Sequence, residues 1–379
     1  MPYLTTPITK NHQITLEDVL FGISQEQYDE KLKNTKDTRT IYRVTTPPRL
    51  LKDIDFDKMI DALRDFNRRR NYLIETQDKK TLYRSFKIPK RSGGLRQIDA
   101  PVDELMDALR DLKFILEKRM FSSYHTCAFA YIRGRCAVDA VKRHQRNKSK
   151  WFLKIDFHDF FGSTTNEFVL KMLSKIFPFN VIIARDKYVL ENALSLCFLN
   201  GGLPQGTPIS PTITNLMMIP IDHAIAKYCR NHSPSLCYTR YADDIIISSK
   251  TSFKWSEVQN DILKILSDFE APFSLNTKKT RYGSASGRNW NLGVMLNKDN
   301  NITIGNGKKK IFKAMLFQFC TDYKNNEPWS IDDTAHLQGL RSYYEMVEGK
   351  NIENIVNKYS EKTGVDINAA IKNIISNKE

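Results

Sequence analysis

The chain has 379 residues, 41% of them hydrophobic and 27% charged; that is apolar material for two or three folded units and excludes wholesale disorder or a collagen-like composition. No run approaches the ~20 apolar residues that span a bilayer, and the start MPYLTTPITKNH lacks the basic-then-apolar layout of a secretory signal, so a cytoplasmic protein with no membrane attachment is expected. Fifty-eight Lys and Arg against 43 Asp and Glu leave a net charge of +15, which favours a polyanionic partner, nucleic acid first.

Taken in chain order, Phe56, Met59, Ile60, Leu63 and Phe66 recur at helical spacing before the basic run Arg68-Arg69-Arg70, and predict a helical N-terminal extension. In YRSFKIPKRSGGLRQIDAP two alternating segments flank Gly93-Gly94, the pair that most easily supplies the positive φ angles of a hairpin turn. Leu105, Leu109, Leu112, Ile115 and Leu116 predict a helix from Val102 to Met120. Tyr124, Phe129 and Tyr131 then precede a basic stretch (Arg133, Arg135, Lys142, Arg143, Arg146, Lys148, Lys150) suited to RNA through stacking and phosphate contacts, or equally to a solvated helix face. WFLKIDF reads as a strand ending near Asp156, and GLPQGTPISPTITN (202–215) as a close-approach loop leading into a helix. SLCYTRYA and DIIISS form a second hairpin with Asp243 and Asp244 at its tip, followed by an amphipathic helix from Ser256 to Phe269. After Gly305 the period is helical again, through Ile311, Ala314, Met315, Phe317, Gln318 and Phe319, and later Leu337, Leu340, Tyr343 and Tyr344. Six widely spaced cysteines without a C-x-x-C pair indicate reduced, mostly buried thiols and neither a zinc site nor a disulfide framework.

The chemistry is carried by three carboxylates. If the Asp156 strand and the 243–244 hairpin neighbour each other in one sheet, Asp156, Asp243 and Asp244 converge at one edge, where like charges about 4 Å apart repel by ~4 kcal/mol at an effective dielectric near 20. A cation is needed to neutralise them, and hard oxygen ligands select Mg²⁺. A pair of such ions is the usual device for in-line nucleotidyl transfer. Taken singly, Asp243-Asp244 also fits a polar turn and Asp156 a helix cap.

KIDFHDFFGS, GLPQGTPISPTITN and RYADDIIIS, in that order, resemble the palm motifs of reverse transcriptases, over roughly Tyr83 to Tyr344. The resemblance implies an α/β (α+β) right-hand polymerase with a palm of antiparallel sheet in a split βαβ arrangement, helical fingers and a helical thumb. It divides the chain into an N-terminal helical extension (1–75), fingers with part of the palm (76–150), palm (151–300) and thumb (301–379). It also implies roles. Asp156, Asp243 and Asp244 hold two Mg²⁺, the Phe157 carbonyl adds a ligand, and Phe161, or its neighbour Phe160, closes off the sugar 2′ position in favour of deoxynucleotides. Lys90, Arg91 and Arg96 grip the triphosphate, Gln205 and Gly206 lie against the nascent base pair, and Tyr241 packs near the primer end. Lys279, or the adjacent Lys278, protonates the leaving pyrophosphate as a general acid.

NWNLGVMLN resembles the primer-grip hairpin, and Lys308-Lys309-Lys310 open a thumb helix. The segment after Leu292 is long enough for a thumb and too short for an added ribonuclease H domain, which points to the bacterial retron and defence-associated (group II intron-like) group. There the partners are a structured non-coding RNA template, nascent DNA, dNTPs and an effector protein, in antiphage defence. DAVKRHQR and NLG stand where retrons usually have Asn-Ala-x-x-His and Val-Thr-Gly, which leaves priming from an RNA 2′-hydroxyl open. The competing readings are an RNA-dependent RNA polymerase, for which GDD would replace YADD, a template-independent or protein-primed DNA polymerase of the same fold, and a non-catalytic RNA-binding scaffold.

Overall fold

Strand formation follows side-chain alternation. In the computed structural model, which describes residues 42–43, 55–90, 93–120, 124–284 and 290–376, YRSFKIP and LRQIDAP become β1 (Tyr83–Pro89) and β2 (Leu95–Pro101), antiparallel with Ile88 opposite Arg96. Gly93 and Gly94 turn the chain with φ of 84° and 80°, as the hairpin requires. The described residues form two compact units, one made of the chain up to Cys136 with Leu153–Ile247 and Lys254–Arg281, the other of Ala137–Phe152, Ser248–Phe253 and the chain from Tyr282 onward.

In the first unit α1 (Phe56–Arg69) buries the expected stripe Phe56, Met59, Ile60, Leu63 and Phe66. Its N-cap Asp55 accepts the Lys58 amide. The helix lies along a later helix, residues 179–195, with Asn67 Nδ2 donating to the Val189 carbonyl at 2.9 Å and Arg64 paired with Asp186 at 3.0 Å. The helix after β2, α2 (Asp103–Phe114), runs into a π turn over Ile115–Arg119. The predicted single helix to Met120 thus widens in its last turn, which turns the consecutive Ile115 and Leu116 both into the core.

The main sheet has the order β4–β5–β3–β6, where β3 is Trp151–His158, β4 Cys237–Tyr241, β5 Asp244–Ser249 and β6 Ser274–Leu275, and a short strand at Arg281–Ser284 also pairs with β3. Helices α3 (Ser210–Met217), α4 (Ile219–Asn231) and α5 (Trp255–Asp268) belong to the same unit, the last one residue offset from its expected start. Helices combined with sheet in this way make an α/β (α+β) fold, as expected.

The second unit holds a three-stranded antiparallel sheet, in which Trp290–Asn291 pairs with Val294–Leu296 and the latter with Ile302–Thr303, and a bundle of α6 (Asn306–Lys324), α7 (Ile331–Glu348), α8 (Lys350–Thr363) and α9 (Ile367–Ser376). Its core joins Phe312, Leu316, Phe319 and Cys320 to Leu337, Tyr344, Ile352, Val356 and Ile371. This corrects the stripe expected on α6: Ile311 is 64% and Phe317 45% exposed, because the face that packs runs through Phe312, Leu316 and Phe319. All six cysteines are free thiols, four of them buried. Among the described residues no helix is long and apolar enough to cross a membrane.

Candidate active site

A strand's period of two puts Lys154 and Asp156 on one face of β3, while Leu153, Ile155 and Phe157 turn to the other and are buried. Asp156 is itself only 4% exposed. On one side of it the turn between β4 and β5 comes in, the Phe157 amide donating to the Asp243 carbonyl at 3.3 Å. On the other side the Asn276 amide donates to the Asp156 carbonyl at 2.8 Å. Asp156 and the 243–244 turn, distant in sequence, are therefore neighbours at one end of the central strand β3.

Lysines stand against two of them. Residues 276–280 form a helical turn in which the Lys279 and Thr280 amides donate to the Asn276 carbonyl at 3.0 and 3.1 Å. That turn carries the Lys279 ammonium to 3.0 and 3.2 Å from the two oxygens of Asp156. Lys154 Nζ lies 2.8 Å from Asp244 Oδ1. Burial pushes the Asp243 carboxyl above its usual range and Asp156 adds to the push, with Lys279 and Lys154 opposing. Asp244 is pushed up to about 6, by burial first; Lys154 pulls it back, and Asp243 and Asp156 raise it further.

Buried Asp156 Oδ1 and Asp244 Oδ1 have no aligned hydrogen-bond donor and only a lysine charge nearby. Buried carboxylate oxygens answered by nothing but cations are a donor set that fits a hard divalent ion. As the side chains stand, no three Asp, Glu, His or Cys groups among the described residues close around a single point.

The 202–215 loop is locked in place by two glycines. A Cβ on Gly202 would fall 2.1 Å from the Gly162 carbonyl oxygen. With no Cβ there, the Leu203 amide reaches the Phe161 carbonyl at 2.9 Å. Gly206 has φ +125°, and its Cβ would lie 2.9 Å from the Asp99 carbonyl; beside it the Gln205 carbonyl accepts the Asp99 amide at 2.8 Å. Gln205 and Gly206 thus dock on β2. Phe160 is buried in a ring cluster with Phe157 and Phe273, at 5.4 and 4.9 Å, whereas Phe161 is half-buried and directly follows it.

Arg96 is exposed on β2, and Lys90 sits exposed at the hairpin tip, its amide donating to the Gly94 carbonyl at 2.9 Å; Arg91 lies outside the described residues. Tyr241, half-buried, ends β4. Sequence reasoning missed Lys154 and a buried ion pair here, and placed Tyr131 only in an aromatic run suited to RNA stacking. Lys154 could have been found from its i−2 spacing to Asp156. Tyr131 has φ +59°, and its hydroxyl is held above its usual range by partial burial and then by nearby Asp243 and Tyr241, with Arg96 opposing. Under the turn, Arg240 and Asp222 form an ion pair at 2.8 Å whose side chains are both 0% exposed. Its one hint was a carboxylate within the apolar run of α4, IPIDHAIA.

A protein-family model described as reverse transcriptase (RNA-dependent DNA polymerase) matches residues 88–311, more than half of the chain. The chain is 29% identical over 296 residues to the retron Ec83 reverse transcriptase of Escherichia coli, covering 75% of this chain and 88% of that one. It is 27% identical over 290 residues to the retron Mx65 reverse transcriptase of Myxococcus xanthus, covering 73% of this chain and 64% of that one. Among solved structures it is similar to the apo telomerase of Candida tropicalis, at 10% identity and a TM-score of 0.47, covering 96% of this chain and 74% of the telomerase.

Proposed function

Since the chain belongs to the reverse transcriptase (RNA-dependent DNA polymerase) family, of the kind bacterial retrons carry, we propose that it extends a primer 3′-hydroxyl, or an RNA 2′-hydroxyl, with dNTPs while copying a structured non-coding RNA. The observation that carries this reading is Asp156 standing beside the 243–244 turn at one end of β3, with buried carboxylate oxygens answered only by lysines. Asp156 and Asp243 would hold two Mg²⁺, with Asp244 and the Phe157 carbonyl as further oxygen donors. When bound, the ions supply charge neutralisation at the attacking hydroxyl and at the departing pyrophosphate.

The chain's own groups do the rest. Arg96, with Lys90 and Arg91 at the hairpin, offers phosphate oxygens charge-assisted hydrogen bonds. Gln205 and Gly206, docked on β2, form a floor for the nascent base pair, and Tyr241 supports the primer end. Phe161 closes the space beside the sugar 2′ carbon. Lys279, or Lys278 next to it, gives a proton to the pyrophosphate as it leaves. In this reading the enzyme is cytoplasmic, and its DNA serves antiphage defence with an effector protein.

Primer extension by the purified protein on a primed RNA tests the reading. dNTPs are incorporated, rNTPs much less, and the Asp243→Asn/Asp244→Asn double variant falls below detection; undiminished synthesis by that variant contradicts the assignment. Loss of phage protection in cells carrying the same variant tests the defence role.

A further inference from the structure

Arg240 is among the largest fully buried side chains of the described residues, and it lies two residues before Ala242, the residue immediately ahead of the paired aspartates. Asp222 takes it in a fork, Nε donating to Oδ1 at 2.9 Å and Nη2 to Oδ2 at 2.8 Å. The Tyr238 hydroxyl donates to the same Oδ1 at 2.6 Å. This fixes the guanidinium plane, so that Nη1 points at two acceptors, Asn215 Oδ1 and the Ala242 carbonyl, each at 3.2 Å. Asn215, from the helix that follows the glycine loop, is tied in turn to the Ala130 carbonyl at 2.9 Å. Ala242 has φ +57°, a left-handed conformation that costs a residue with a Cβ and persists only where its surroundings enforce it.

We infer that the buried Asp222–Arg240 pair is a positioning strut that holds the Ala242 carbonyl, and through it the turn bearing Asp243 and Asp244, in register with Asp156. The inference rests on the polymerase reading for its consequence and on the hydrogen bonds above for its geometry. A desolvated ion pair adds little net stability compared with apolar packing and is better explained by the single arrangement that it enforces. Here that arrangement includes a carbonyl acceptor in the catalytic turn. Neither Arg240 nor Asp222 touches substrate; both act through the turn.

The test uses the full chain with Arg240→Lys, which keeps the charge beside Asp222 and removes the arm to Ala242. Hydrogen exchange of the 238–246 backbone is expected to accelerate at 241–244, while amides in α4 keep their protection. In primer extension, kcat falls about ten- to a hundredfold while the dNTP KM and primer–template affinity stay within a factor of about three, since misplacement alone is costly to the chemical step. Adding Ala242→Gly, which accepts positive φ without strain, is expected to recover most of the lost kcat. Should Arg240→Lys not fold, Tyr238→Phe removes one hydrogen bond from Asp222 and accelerates turn exchange in the same direction by about three- to tenfold.

Unchanged exchange at 241–244, a loss confined to KM, or no recovery with Ala242→Gly would each overturn the strut. An unsubstituted chain that makes no DNA sinks the polymerase reading instead, and the exchange measurement still decides the geometry.

Discussion

Phe161 is half-buried; its carbonyl accepts from both the Leu203 amide at 2.9 Å and the Thr164 amide at 3.1 Å, and its ring meets Phe160 edge-on at 5.7 Å. In the proposed polymerase reading, a ring there would discriminate by steric exclusion of one hydroxyl. Phe161→Val is therefore expected to narrow the preference for dNTP over rNTP by about ten- to a hundredfold, as expected when a pocket wall is trimmed by several carbons, with dNTP incorporation largely kept. The ratio of kcat/KM for the two nucleotides measures it, and an unchanged ratio would move the role elsewhere. The neighbouring Phe157 and Phe160 are explained by packing, since both are buried and stack on each other 13° off parallel. The paired aspartates and Asp156 were legible because each sits in a motif with its own local pattern. The i−2 spacing puts Lys154 on the face of Asp156, but the partners of Lys154 and Arg240 were not legible, because tertiary folding supplies them: Asp244 in another strand for the first, Asp222 in a helix for the second.

At the scale of elements, the glycine loop and the turn that follows β3 act as one piece, through Gly202 on Gly162 and Leu203 on Phe161. Gly202→Ala drives a methyl to 2.1 Å from the Gly162 carbonyl, and because the obstacle is backbone, the loop has to move. The expected cost is about 1–3 kcal/mol, in the range of overpacking, read as a lower denaturant midpoint, together with loss of primer extension as Leu203 leaves the Phe161 carbonyl. A variant that keeps both midpoint and activity would show the loop to be independent of that turn. Hairpins and loops of this kind were readable because Gly93-Gly94 and the Gly-Pro punctuation act locally. The buried face of α6 was not. Its sequence offers apolar residues all round, and the neighbours decide: Phe319 meets Trp329 edge-on at 5.4 Å and Phe312 meets Tyr344 at 5.3 Å, while Phe317 lies outside under the Lys362 ammonium.

At the scale of the whole molecule, the +15 net charge and two of the three buried histidines, His144 and His223, bear on how the protein responds to solution conditions. Affinity for RNA should fall steeply with salt, by about a thousandfold or more between 50 and 200 mM if six or more phosphates are contacted; a flat dependence would argue against an electrostatic interface. The pH response follows from burial. His144, whose Nδ1 lies 2.6 Å from Ser248 Oγ, is pushed down to about 3 by burial, with Arg143 adding, and His223 to about 4, by burial first with Asp222 opposing. Both are lowered from an unfolded value near 6.5, so each stays neutral when folded and takes up a proton on unfolding once the pH drops below that value. Their stabilisation is complete above about 6.5 and is lost as pH falls, at up to about 1.4 kcal/mol per pH unit for each histidine. Asp244, pushed up to about 6, works the other way, since the folded chain holds its proton more tightly than the unfolded one, and it offsets part of the loss between 6 and 5. Urea midpoints at pH 7 and pH 5 should therefore separate for the natural sequence, and the gap should shrink when His144→Asn or His223→Asn removes the titrating group. An undiminished gap in both variants would leave the His144 and His223 imidazoles without a part in the acid sensitivity.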